Sequence, residues 1–185
     1  MARTESNMLP LGTKAPDFLL PDTVSGKMIK LSDIPSSKAT VIMFICNHCP
    51  FVIHLHDGLK SLINNYQNKK INFIAISAND VNNYPEDSPE KMKLLFSKLG
   101  FTFPYLYDES QSIAKAYDAA CTPDFYIFNN ALELAYRGQF DSSRPGNNIP
   151  VTGKNLRSAL DDLLANNPVS TEQSPSLGCN IKWKE

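Results

Sequence analysis

Cys46 and Cys49 bracket Asn47 and His48 in a C-x-x-C pattern, and two further cysteines stand at Cys121 and Cys179. Two thiols at the C-x-x-C spacing can close a disulfide, act as a dithiol couple or share a metal. The thiolate is the reactive form of cysteine, so the question is what would stabilise one here. The run at 39–46 is apolar and rich in β-branched residues, which predicts a strand buried on both faces. After it Val52, Leu55, Leu59, Leu62 and Tyr66 recur every three or four residues, which predicts an amphipathic helix over 51–66. The motif therefore follows a strand directly and opens a helix, where unpaired N–H groups and the positive dipole end favour a thiolate. With Asn47 as N-cap, Pro50 takes the third helical position, Cys46 lies at the helix mouth and Cys49 falls within the first turn. On this placement Cys46 is the nucleophile and Cys49 the resolving thiol. His48 is either a charge and proton partner or a solvated side chain.

A metal is the second chemistry these residues allow. Cys46, Cys49, His54 and His56 are four ligand types in one stretch. Two residues apart on a helix, His54 and His56 point about 200° apart and do not share a tetrahedral site. One histidine with both cysteines could hold copper or zinc with outside help. The helix flank is the simpler expectation for His54 and His56. Cys121, taken alone, reads as a buried structural cysteine. Thr122-Pro123 stands before a strand, and a cis bond there is the sharper reading of an otherwise ordinary edge proline.

The elements that must position these residues are legible around them. A hairpin with its turn at Val24-Ser25-Gly26-Lys27 is expected within 17–31. A second buried strand over 71–77 completes a right-handed β-α-β unit with parallel strands. A loop over 78–89 follows, then a helix from Pro89 that Gly100 can end. A short strand within 101–107, a short helix over 110–117, strands at 124–128 and 132–136 joined at Asn129-Asn130, and a last helix over 152–164 complete the order. This predicts an α/β fold, a central mixed sheet with helices on both faces and an N-terminal hairpin. At 185 residues the chain suits one domain with a real core. A net charge of -1 gives no reason to expect nucleic acid or an anionic membrane as partner. The longest apolar run falls far short of the ~20 residues of a spanning helix. The first residues lack the apolar stretch of a secretory signal, so a cytoplasmic location is expected.

Taken together, the residues resemble the thioredoxin-fold redoxins, in the alkyl hydroperoxide reductase/thiol-specific antioxidant and TlpA-like branch. The resemblance rests on Gly12-Thr13-Lys14-Ala15-Pro16-Asp17-Phe18, on the strand leading to Cys46-Asn47-His48-Cys49-Pro50-Phe51, and on Thr122-Pro123. Tyr84-Pro85-Glu86-Asp87-Ser88-Pro89-Glu90-Lys91-Met92, Tyr136-Arg137-Gly138-Gln139-Phe140-Asp141 and Gly178-Cys179-Asn180-Ile181-Lys182-Trp183 extend it to a peroxiredoxin-like subgroup of thioredoxin-family proteins. It covers nearly the whole chain and implies a thioredoxin-like domain at 12–165, preceded by an arm at 1–11 and followed by a tail at 166–185 that can dock on the domain. It also implies a cis Thr122–Pro123 bond facing the C-x-x-C, with free backbone groups that could pair with an extended substrate segment. The expected catalytic residues are then Cys46, Cys49, Thr122 and Pro123, with no cofactor and no bound metal. Two departures stand out. Ile45 occupies the position before the first cysteine where thioredoxins usually carry tryptophan. The threonine and proline that peroxiredoxins place three and seven residues before the peroxidatic cysteine are also missing. Met43 and Ala39 stand there for Cys46, and Cys46 and Ile42 for Cys49. Arg137 and Arg144 read as surface arginines, and an Asp141–Arg144 pair would be worth under ~1 kcal/mol.

The expected function is a thiol–disulfide oxidoreductase acting on a protein or small-molecule disulfide or dithiol. A thiol peroxidase, with antioxidant activity on peroxide, is the alternative enzyme. A metal-binding or redox-sensing module is the alternative that is not an enzyme. For Cys179, an inert cysteine on a tail packed by Ile181 and Trp183 is expected over a mobile resolving cysteine or a link between subunits.

Overall fold

The computed structural model describes residues 3–184. In chain order the strands are β1 (Arg3–Glu5), β2 (Leu19–Pro21), β3 (Met28–Lys30), β4 (Ala39–Phe44), β5 (Ile71–Ser77), β6 (Tyr105–Tyr107), β7 (Cys121–Thr122), β8 (Asp124–Asn129), β9 (Leu134–Gly138) and β10 (Leu177–Asn180). The helices are α1 (Pro50–Ile53), α2 (His56–Tyr66), α3 (Pro89–Leu99), α4 (Ser112–Ala116) and α5 (Lys154–Ala165). The central sheet has the order β6-β5-β4-β8-β9. β4, β5 and β6 are parallel, β8 runs antiparallel to β4, and β9 runs antiparallel to β8. This is the expected α/β thioredoxin-like fold with its mixed sheet.

Every residue of β4 is buried because both faces of the sheet are covered. Val41 and Met43 meet α2, α3 and α5 through Leu59, Leu62, Met92, Phe96, Leu156 and Leu160. Ile42 and Phe44 meet Ala114, Tyr117 and the hairpin residues Phe18 and Leu20 on the other face. The alternation along one strand thus feeds two separate apolar layers. The β2–β3 hairpin turns where expected, with Asp22 carboxylate oxygens accepting the Val24 and Ser25 N–H groups. Helix α3 ends at Gly100, whose φ of 69° is the left-handed conformation glycine adopts freely.

Three expectations change. The helix expected over 51–66 is two helices, because the chain tightens where Leu55 N–H bonds back to Val52 C=O at 3.0 Å. Cys49, not Asn47, is the N-cap of α1, and Pro50 is its first residue. Proline has no N–H to contribute and pushes the residue before it into an extended conformation, so the helix starts there. The polar arm expected at 1–11 contributes a strand. β1 and β10 pair, and β10 also pairs with β7, giving a second sheet of order β1-β10-β7. No helix among the described residues is long and apolar enough to cross a membrane.

Candidate active site

β4 delivers the cysteines. Ile45 N–H still bonds to Ile76 C=O at 3.0 Å, and the chain then leaves the sheet. One buried carboxylate pins the turn. Asp87 Oδ1 accepts the N–H groups of Asn47 (2.7 Å) and His48 (3.3 Å). Its Oδ2 accepts His48 Nδ1–H (2.7 Å) and the Asn79 amide (2.8 Å). Asn47, freed from capping, donates its side-chain amide to Glu86 C=O at 2.8 Å and accepts from the Tyr105 hydroxyl at 3.3 Å. The His48 ring stacks on Tyr84 with centroids 5.5 Å apart, so it is a held group and not a solvated one.

The thiols converge on the Thr122–Pro123 peptide, which is cis as expected. Cys46 Sγ lies 3.4 Å from Thr122 Oγ1, and Cys49 Sγ lies 3.1 Å from Thr122 C=O. A third thiol joins them: Cys179 Sγ is 2.8 Å from Cys49 Sγ. All three are buried. Protonated, Cys49 donates to the Thr122 carbonyl. Ionised, it is the acceptor for the thiols around it. The Cys46 thiol donates to it, and the Cys179 thiol, the Val52 N–H and the Thr122 side chain add to this, against the cost of burial; its pKa is lowered to about 5. The same hydrogen bond holds the proton on Cys46, whose pKa is raised further by burial and by the Asp87 charge. Burial, then donation to Cys49, pushes Cys179 up to about 12. The hydrogen bonds around Cys49 thus favour it as the carrier of negative charge in the trio.

Cys121 is buried, as expected. Its sulfur meets the Pro123 carbonyl at 3.6 Å, and burial raises its pKa. His54 bonds to Ser143 Oγ at 2.7 Å and His56 lies edge-on to Phe101, so neither joins the cysteines. Among the described residues, the group with metal-ligand character is instead Cys46, His48 and Asp87, with ligand atoms within 4.8 Å of one another. The Asp87 oxygens, however, already accept four hydrogen bonds, which leaves that carboxylate little to offer a cation.

Both arginines correct the sequence reading. Arg137 is fully buried and pairs with Asp124 at 3.1 Å. Arg144 donates to the backbone carbonyls of Asp141 and Ser143 and to Gln139 Oε1. The Asp141 carboxylate is taken by the N–H groups of Ser143, Thr152 and Gly153, so there is no Asp141–Arg144 ion pair. Trp183 does not anchor the tail either. It is exposed under Lys115, and Ile181 is the buried anchor.

Sequence reasoning missed Asp87 and the approach of Cys179. The cue for Asp87 was an acid set between two prolines, Pro85 and Pro89. The cue for Cys179 was a cysteine beside a glycine, between Leu177 and Ile181 at the end of a polar tail.

Comparison with known proteins agrees with this geometry. The AhpC/TSA family pattern matches residues 11–139. The chain belongs to the AhpC/TSA family. It is a thioredoxin-fold redox protein with Cys46 and Cys49 gathered at one threonine. An uncharacterised conserved protein from Geobacillus kaustophilus is 58% identical to it, with a TM-score of 0.97 over 100% of this chain and 97% of that one. A hypothetical protein from Sinorhizobium meliloti 1021 is 45% identical, with a TM-score of 0.95 over 98% of each chain. A putative thiol:disulfide interchange protein from Chlorobium tepidum shares the fold at 17% identity, with a TM-score of 0.67 over 85% of this chain and 99% of that one. No curated protein matches the chain.

Proposed function

We propose that this AhpC/TSA-family protein is a thiol–disulfide oxidoreductase working through a Cys46–Cys49 couple. The observation that carries the reading is the convergence of both sulfurs on Thr122, directly before the cis-proline. Cys46 passes its proton to the Cys49 thiolate, its hydrogen-bond acceptor, and attacks one sulfur of a substrate disulfide. The substrate S–S bond breaks and a mixed disulfide forms on Cys46. Cys49 gives the proton to the departing thiolate and attacks Cys46 Sγ, which releases the reduced substrate and closes the Cys46–Cys49 bond. The Thr122 hydroxyl stabilises the Cys46 thiolate, and Asp87 opposes it, so the charge on Cys46 is short-lived and reactive. The reverse sequence oxidises a dithiol. The substrate is a protein or small-molecule disulfide or dithiol. We propose the cytoplasm as its location, a reducing compartment in which a cysteine pair of this kind serves catalysis.

The test is catalytic turnover of a disulfide-bonded protein in the presence of a small dithiol. Wild-type protein is expected to accelerate the reduction, and Cys46→Ser and Cys49→Ser are expected to return it to background. No acceleration by the wild type, together with consumption of peroxide, would replace this reading with a thiol peroxidase.

A further inference from the structure

The strand that brings Cys179 to the site also fills a place where a substrate would bind. β10 pairs antiparallel with β7, with Cys179 opposite Thr122 and Asn180 opposite Cys121. The backbone edge at Thr122 is where an extended peptide could add as a further strand. In this chain that edge is taken by the chain itself. The attachment continues beyond the strand. Ile181 N–H bonds to Ala120 C=O at 3.1 Å, and Lys182 C=O accepts from Asp80 N–H at 2.9 Å and from the Gln111 amide at 2.8 Å. Lys182 N–H donates to Asn79 Oδ1 at 2.8 Å, so the tail is tied to the same asparagine that holds Asp87. Gly178 passes so close to the Thr122 carbonyl that a Cβ there would collide with it. This register leaves Cys179 Sγ 2.8 Å from Cys49 Sγ. A disulfide holds two sulfurs at about 2.05 Å, so Cys179 Sγ stands within reach of Cys49 Sγ for thiol–disulfide exchange.

We propose that Cys179 is a third redox thiol of this site, presented to Cys49 by β10 in the position of an external peptide. The proposal rests on the oxidoreductase reading, because it acts on the disulfide which that reading forms. Cys179 gives up its proton, and its thiolate attacks Cys49 Sγ in the Cys46–Cys49 disulfide. The Cys49–Cys179 bond forms and the Cys46–Cys49 bond breaks. Cys46 leaves as a thiolate and takes up the proton that Cys179 released. No electrons enter or leave: the two-electron oxidation moves from one cysteine pair to the other, and the reverse step returns it. The result is a free Cys46 thiol beside His48 and Asp87, with the oxidising equivalent held between α1 and β10.

The test uses the full chain equilibrated in glutathione buffers from reducing to oxidising, quenched in acid, labelled with two distinguishable alkylating reagents and mapped by mass spectrometry. The expected wild-type result is a Cys49–Cys179 disulfide in which Cys46 is alkylated, alongside Cys46–Cys49. In Cys46→Ser the Cys49–Cys179 species is expected to become the sole disulfide, and in Cys179→Ala it is expected to be lost. If wild type forms Cys46–Cys49 at some potential, and neither wild type nor Cys46→Ser forms Cys49–Cys179 at any, the inference is overturned and the oxidoreductase reading stands. If wild type forms no disulfide at Cys49, both fall.

Discussion

One negative charge is shared among three sulfurs, and hydrogen bonds decide which atom carries it. Cys49 receives the Cys46 thiol first, then Cys179, the Val52 N–H and Thr122, and these outweigh its burial. Its pKa lies at about 5, well below the ordinary cysteine range, so the thiolate is present above about pH 5 and is lost as pH falls through that value. The ultraviolet thiolate absorbance of the reduced protein should therefore fall by one thiolate as pH drops through about 5. Cys49→Ser should remove the step. Cys179→Ala takes away one donor and should move the midpoint up by about one unit, a tenfold change in proton affinity. A wild-type midpoint at the ordinary cysteine value of about 8.5 would refute this assignment of the charge. At this scale the sequence exposed the residues whose chemistry is local. The C-x-x-C pair and Thr122-Pro123 carry their meaning in adjacent positions. Asp87 does not, because its role comes from hydrogen bonds to Asn47 and His48, far away along the chain.

Elements were readable where burial imposes an unbroken apolar run or a period. β4 and β5 carry the run, being covered on both faces, and α2 carries the helical period. β1 and β10 have neither. Their residues include glycine, asparagine and charged side chains, and they become strands only because each finds a partner at the far end of the chain. The break between α1 and α2 is equally silent, as Val52, Leu55 and Leu59 stay buried on both sides of it. β10 then depends on a close approach, and Gly178→Ala tests it. The added methyl meets the Thr122 carbonyl and Pro123, backbone atoms that cannot step aside as a side-chain tip can. β10 should separate from β7, with a stability loss of about 1–3 kcal/mol in urea unfolding. Cys179, buried in the wild type, should be alkylated faster in the reduced variant. Wild-type stability and alkylation rates in Gly178→Ala would mean that β10 does not pack on Thr122 as described.

Across the whole molecule, the loop that faces the cysteines is held from below by a buried charge pair. Arg137 on β9 donates to Asp124, the residue after Pro123, at 3.1 Å and to Asp118 C=O at 2.8 Å, and its guanidinium lies 4.5 Å from the Tyr126 ring centroid. It thereby joins β9 and β8 to the segment that leads into β7. The pair is incompletely satisfied, because Arg137 Nε and Nη1 and Asp124 Oδ1 have no hydrogen-bond partner. Burial raises the Asp124 pKa to about 6 even with Arg137 beside it. A buried pair with orphan atoms adds little net stability, yet losing one member leaves the other charged and alone. Arg137→Met should therefore cost about 3–5 kcal/mol in urea unfolding at neutral pH, and adding Asp124→Leu should recover most of it. The sign of the pH dependence follows from Asp124. Its folded pKa stands above its unfolded value, so the cost of ionising it is fully present above the folded pKa and is relieved as pH falls toward the ordinary carboxylate range. Without Arg137 that folded pKa rises further, so the deficit of Arg137→Met should shrink on moving from neutral to mildly acidic pH, while the double variant should show no such change. Equal losses in the single and double variants would mean that the pair itself stabilises the molecule, and the loop before the cis-proline would then owe its position to a net attraction instead of to the avoidance of a lone buried charge.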